Sequence, residues 1–202
     1  MISLKKFLVL STTAVAIAIA LAGCSTGADE TMPGMDHGTS ATATAQTPVA
    51  EGAHNSADTM FAQMMLPHHE QAVEMSDIML AKTSLDPQIA MLARDIKKAQ
   101  GPEIQKMTTW LTGWGEPTTM SGSHGMDGMM TDADLEKLKA AQGNEASTLF
   151  LSQMIKHHQG AVEMARSEVT DGKDADAVAL AKSIVSSQGS EIKDMKDLLT
   201  AL

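Results

Sequence analysis

Cysteine is almost absent from this chain of 202 residues, which has one, Cys24. That excludes a disulfide framework and a cysteine-based zinc site. Aromatic residues make up only 2%, and there is no tyrosine. Basic residues are few, 15 against 25 acidic ones, for a formal net charge of −10. A nucleic-acid binder needs a basic face to meet phosphates, so no nucleic-acid partner is expected. No segment alternates with period two, so no sheet is expected. What is abundant is methionine, with 17 residues, in a chain that is 43% hydrophobic. That share is too high for a wholly disordered chain.

Residues 1–23 read as an export signal peptide. Lys5 and Lys6 precede an apolar run from Phe7 to Ala22, the order of charge and hydrophobicity that secretion uses. The run is nearly long enough to span a membrane, so a retained anchor is the rival reading. Leu21-Ala22-Gly23-Cys24 favours the signal, because it resembles the bacterial lipoprotein box, in which the cysteine becomes the lipidated first residue. Acyl chains on Cys24 would anchor the protein to the extracytoplasmic face of a membrane. Residues 24–55 then form a tether rich in Ser, Thr, Ala and Gly with no apolar period, a flexible spacer by composition.

The remainder is an internal duplication. Phe61, Met65, His68, His69, Ala72, Val73, Glu74 and Met75 recur 89 positions later, from Phe150 to Met164. Leu92, Ala93, Ile96, Gln100, Glu103, Ile104, Met107 and Leu111 recur 88 positions later, from Leu180 to Leu199. Self-similarity of this kind marks a repeated supersecondary unit. Each block has helical period. The first helix is expected from about Ser56 to Lys82 and the second from Asp86-Pro87, a cap and a first-turn proline, to about Gly113. The third is expected from about Asn144 to Val169. A loop over Thr170–Asp174 leads to the fourth, which ends near Leu202. Thr131 with Asp134 reads as a capping box opening a short extra helix that ends at Gly143. Hairpins at 56–113 and 144–202, joined by a linker at 114–143, pack most simply as an all-α, antiparallel four-helix bundle.

At about 100° per residue, Phe61, Met64, Met65, Ala72, Met75 and Met79 cluster around His68. His68 is therefore expected at the centre of the core face and His69 on its flank. The repeat places Phe150, Met154, Ala161 and Met164 around His157, with His158 on the flank. In the second helix Gln100 and Glu103 fall on the face of Met107; in the fourth, Gln188 and Glu191 fall beside Met195. A buried carboxylate is costly unless paired or metal-bound. Two readings follow. One is a pair of structural contacts, His68 with Glu103 and His157 with Glu191. The other is a metal site drawn from Met65, His68, His69, Met75, Glu103, Met107, Met154, His157, His158, Met164, Glu191 and Met195.

Methionine also clusters where no core is expected. The tether holds Met32, Met35 and His37; the linker holds Met120, His124, Met126, Met129 and Met130 among glycines. A low-complexity linker that drifted to methionine is one reading; loop ligands are the other. Thioether with imidazole is a soft set that selects Cu(I) and, by the same chemistry, Ag(I), whereas zinc uses Cys, His and carboxylate.

The doubled motif, Phe61-x3-Met65-x2-His68-His69-x2-Ala72-x2-Met75 followed by Gln100-x2-Glu103-x3-Met107, resembles the bacterial family named domain of unknown function 305. The resemblance covers about residues 56–202. It implies a ferritin-like four-helix bundle, and some members of the family are exported copper-binding proteins linked to copper resistance. Ferritin-like architecture also raises a redox enzyme, but di-iron bundles use Glu-x-x-His on their helices, and the one such tetrad here, Glu51 to His54, sits at the end of the tether. No nucleophile triad, phosphate loop or nucleotide fingerprint stands out. The leading expectation is a membrane-anchored lipoprotein, not an enzyme. It would bind Cu(I) for buffering, tolerance or transfer to a copper-handling protein of the envelope. A helical interaction module with buried His–Glu pairs is the alternative.

Overall fold

The computed structural model describes residues 52–120 and 127–202. The expectations for Cys24, Met32, Met35, His37, His124 and Met126 lie outside them. Five helices follow one another: α1 (Ser56–Leu80), α2 (Pro87–Trp114), α3 (Asp132–Ala140), α4 (Gly143–Asp171) and α5 (Ala175–Ala201). Among the described residues there is no strand, and no helix is long and apolar enough to cross a membrane.

The helix ends are set by local chemistry. Asn55 caps α1 by accepting from the N–H groups of Ala57 and Asp58, and Asp58 accepts from the Asn55 N–H in return, which satisfies both orphan donors. Asp86 caps α2, with Pro87 in its first turn. Gly115, at φ 75°, ends α2 in the left-handed conformation that glycine adopts without strain. Thr131 and Asp134 form the expected capping box of α3. The α4 helix runs to Asp171, two residues past its expected end, so the turn before α5 is shorter than the sequence suggests.

The strongest packing is within the hairpins, α1 with α2 and α4 with α5; α1 also packs on α4. The start of α1 meets the end of α4. Asn55 Nδ2 donates to the Asp171 carbonyl at 2.9 Å, and the Asp58 carboxylate accepts from the N–H groups of Lys173 and Asp174, each at 2.9 Å. At the other end Lys82 donates to the carbonyls of Lys139 and Ala141. Helices α1 and α4 are therefore antiparallel, as each hairpin is within itself, and the four long helices form an antiparallel bundle. The short α3 packs across α1 and α4 near the C-terminal end of α1.

The core divides in two. One apolar cluster holds Phe61, Met65, Met107, Leu111, Ala161, Ala165, Leu180 and Ile184, with neighbours. The other holds Ala72, Met75, Met79, Ile96, Leu138, Phe150, Met154 and Met195, with neighbours. Along α1 the residues between the two clusters are His68 and His69; along α4 they are His157 and His158. A polar layer thus crosses the middle of an otherwise oily bundle, and it is made of the doubled motif.

Candidate metal centre

All four histidines of this layer are 0% exposed. Their roles split by position within each His-His pair. His69 Nε2 lies 2.7 Å from Glu103 Oε2, and His158 Nε2 lies 2.7 Å from Glu191 Oε2. The carboxylates are part-exposed, at 21% and 27% of their side chains, and a carboxylate only accepts, so each Nε2 carries the proton and donates. The expected pairs of Glu103 with His68 and of Glu191 with His157 are therefore corrected. The second histidine of each motif makes the bond. A 100° turn from the core face does not take His69 out of the bundle; it turns the ring from α4 towards α2.

His68 and His157 face each other instead, with ring centroids 3.7 Å apart and planes 38° apart. Neither ring nitrogen of either residue has a hydrogen-bond partner, and Nδ1 of His69 and of His158 has none. Burial pushes the His68 imidazolium down to about pKa 3, with the neighbouring His69 and His158 adding to it and the Asp127 backbone opposing it. Burial does the same to His157, helped by His68, His158 and His69, so its pKa falls well below the usual histidine range. Neutral imidazoles with free lone pairs are what a metal ion requires. Gln100 and Gln188 are buried nearby in sequence, each with its side-chain carbonyl unpartnered.

The other sequence candidates are scattered. Met65 and Met107 sit in one apolar cluster; Met75, Met154 and Met195 sit in the other, all fully buried. Met164 is only half-buried and lines a surface pocket with Met64. Met130, expected in an exposed linker, is 7% exposed and belongs to the core. Gln71 holds it there, donating to its carbonyl at 2.9 Å and accepting from its N–H at 2.7 Å. Met129 is half-buried beside it, and Met120 half-buried next to α1. The backbone of this strap lies directly on α4. A Cβ at Gly160 would stand 2.0 Å from the Asp127 carbonyl oxygen. Among the described residues, no three His, Cys, Asp or Glu side chains close on a common point.

One buried group escaped the sequence reading. Glu168 is 2% exposed, and neither of its carboxyl oxygens has a donor. Eleven residues after His157, it lies only about 20° from it round the helix, which was the available signal. Its pKa is pushed up to about 8, by burial first and by Asp58 next.

The family profile described as domain of unknown function (DUF305) matches residues 58–199. The chain belongs to this family. Solved DUF305 structures agree with the fold. A candidate secreted protein of the family from Streptomyces coelicolor is 39% identical, covering 72% of this chain and 93% of that chain with a TM-score of 0.69. A fragment from Deinococcus radiodurans is 32% identical, covering 73% and 98% with a TM-score of 0.68. CopM in its Cu(I)-bound form is 35% identical, covering 71% and 96% with a TM-score of 0.62. CopM has also been solved with Cu(II) and with silver. The curated proteins include no match.

Proposed function

We propose that this DUF305 protein binds Cu(I), or Ag(I) in its place, between its two hairpins, with His68 and His157 as the central donors and Nδ1 of His69 and His158 available beside them. The observation that carries this is the set of six buried ring nitrogens without partners. Each unpartnered buried polar atom costs about 1–3 kcal/mol, and native proteins keep few of them without a function. A two-coordinate site is no obstacle, since monovalent d10 ions accept two donors. Glu103 and Glu191 are positioning residues. By accepting the Nε2–H hydrogen bond they fix the tautomer and leave the Nδ1 lone pair free, as carboxylates do behind metal-bound histidines.

CopM, a relative solved with Cu(I), Cu(II) and silver, supports copper over zinc or iron as the cargo. The half-buried Met129 and Met120 add soft thioether donors on the linker side of the bundle, and the remaining methionines and histidines of the tether and linker are further soft ligands by composition. The acidic excess adds a salt-screened attraction for cations. Export and lipidation at Cys24 place the protein at the membrane, where it buffers copper or hands it to a second copper protein. The purely structural reading accounts for the His69–Glu103 and His158–Glu191 bonds but not for His68 and His157, which have no partner to be structural with.

The test is elemental analysis of the protein after anaerobic exposure to Cu(I) and removal of loose metal. Bound copper that is lost in a His68→Leu, His157→Leu variant supports the reading. No copper in the wild type refutes it.

A further inference from the structure

The groove between α1 and α4 is treated differently at its two ends. At one end α3 covers it, and Gln153 reaches out of α4 to the Asp134 carbonyl at 3.1 Å. At the other end, where α1 begins, Met60, Phe61 and Met64 of α1 and Met164, Ser167 and Glu168 of α4 line an open pocket of about 240 Å³. Met60 is 51% exposed there, and Met64 and Met164 are half-buried. Met60 and Met64 are one helical turn apart, so both thioethers lie on the same stripe of α1. Met164 joins them from the antiparallel helix.

The duplication does not explain this trio. The residues at the equivalent repeat positions are Leu149, Gln153 and Met75, and Met75 is fully buried in the core. Core filling does not explain it either, because Met60 is half in water. Glu168 supplies an independent observation. Glu168 lines the same pocket, and its carboxyl is buried against Gly172 with no N–H donor to either oxygen. Its polar neighbour is the Asp58 carboxylate, already taken by the N–H groups of Asn55, Lys173 and Asp174. Glu168 turns its proton to Asp58, and the pocket's other charged lining residue, Asp171, is acidic too, so a cation at its mouth meets no positive charge. Neutral thioethers make a soft, low-charge donor set, which favours a monovalent soft ion over zinc, magnesium or calcium.

We propose that Met60, Met64 and Met164 form a second site for Cu(I) or Ag(I), separate from the histidine layer. It uses none of the four histidines and stands whether or not they bind metal. Its place at the mouth of the α1–α4 groove, with Met60 also lining the pocket shared by His54 and Met120, suits a surface site that exchanges ions quickly.

Silver nitrate titrated into the protein carrying 13C-labelled methionine methyl groups tests this, because Ag(I) is redox-inert and a bound thioether shifts its methyl signal. The signals of Met60, Met64 and Met164 are expected to move together. A Met60→Leu, Met64→Leu, Met164→Leu variant, which conserves volume and so preserves the fold, is expected to bind one fewer Ag(I) with the imidazole signals still responding. Unmoved trio signals while the imidazoles respond would overturn this site and leave the histidine reading intact. A moving trio with silent imidazoles would do the reverse. A triple variant that binds as many ions as the wild type would also overturn it. Met60→Leu alone, at an exposed position, gives the same readout if the triple variant loses its helical signal.

Discussion

The His68 and His157 rings meet at 3.7 Å between centroids, tilted by 38°, across the interface between the hairpins. They are the same position of the two repeats, so the approximate two-fold that relates the hairpins passes between them. An ion bound at that point would meet the same donors from either side, and the bundle would be cross-linked through its middle.

Replacing both rings by leucine separates stability from function. Two imidazoles without partners are removed from the core and apolar groups of similar size take their place, a change that is neutral or stabilising when polar atoms were unsatisfied. The metal-free His68→Leu, His157→Leu protein is expected to unfold at the same urea concentration as the wild type or a higher one, by up to about 1–3 kcal/mol. The added stability that Cu(I) gives the wild type is expected to vanish. Thermal or urea unfolding with and without Cu(I) checks both halves.

Glu103→Gln and Glu191→Gln probe the positioning bonds. An amide can still meet His69 or His158, but it no longer imposes the Nε2–H tautomer. The Cu(I) affinity is expected to fall about 10–100-fold, with the number of ions bound unchanged. A drop in stoichiometry would mean that the carboxylates are ligands themselves.

Glu168 is expected to make stability fall as pH rises through neutrality. The folded state holds a proton on Glu168 up to about pH 8, while the unfolded chain releases it near the usual glutamate value of about 4.3. Between those values the folded protein binds more protons, so each upward step in pH disfavours folding. The loss continues until the folded-state pKa is passed. The groups facing Glu168 are Asp58 of α1, Asp174 at the start of α5 and Asp171 of its own helix, all acidic, so none reverses the sign. Below about pH 6.5 the buried neutral His68 and His157 act in the opposite direction, because only the unfolded chain takes up their protons; melting curves from pH 7 to 9 should therefore show the decline, and Glu168→Gln should flatten it.

Two kinds of glycine sit in the helices. Gly160→Ala would drive a Cβ into the Asp127 backbone, which cannot rotate away, so the strap must lift off α4. A loss of about 1–3 kcal/mol is expected, with faster amide exchange at Met130. Gly101 and Gly189 are equivalent positions of the repeats with open space at the Cβ. Alanine at either is expected to add about 0.5–1 kcal/mol. Chemical denaturation of the three variants separates the cases.

Much of the fold was legible because it is written twice. The apolar spacing around His68 and around Met107 fixed two helices, and the repeat supplied the other two. The capping box at Thr131 named the start of α3 to the residue, whereas the helix ends at Ala140 and Gly143 already opens α4. The partners of the histidines were not legible. A helical wheel gives one inward direction, but a helix in a bundle has inward-facing neighbours on two sides, so His69 could turn from the core centre and still be buried against α2. Met130 was misread because glycine-rich composition says nothing of Gln71, whose two backbone hydrogen bonds draw that segment into the core. Glu168 was passed over because one acidic residue near a helix end normally faces water, and its burial depends on the Gly172 cap of its own helix and on Asp58 from α1.

The central claim is that the histidine layer holds Cu(I). An anaerobic Cu(I) titration against a chromophoric chelator, run on the protein and on a variant with His68, His69, His157 and His158 replaced by leucine, tests it most directly. The expected result is that the wild type withdraws copper from the chelator at a high-affinity step that the folded variant lacks. If the variant keeps its helical content and withdraws copper as tightly and in the same amount, the layer is structural and the claim is contradicted.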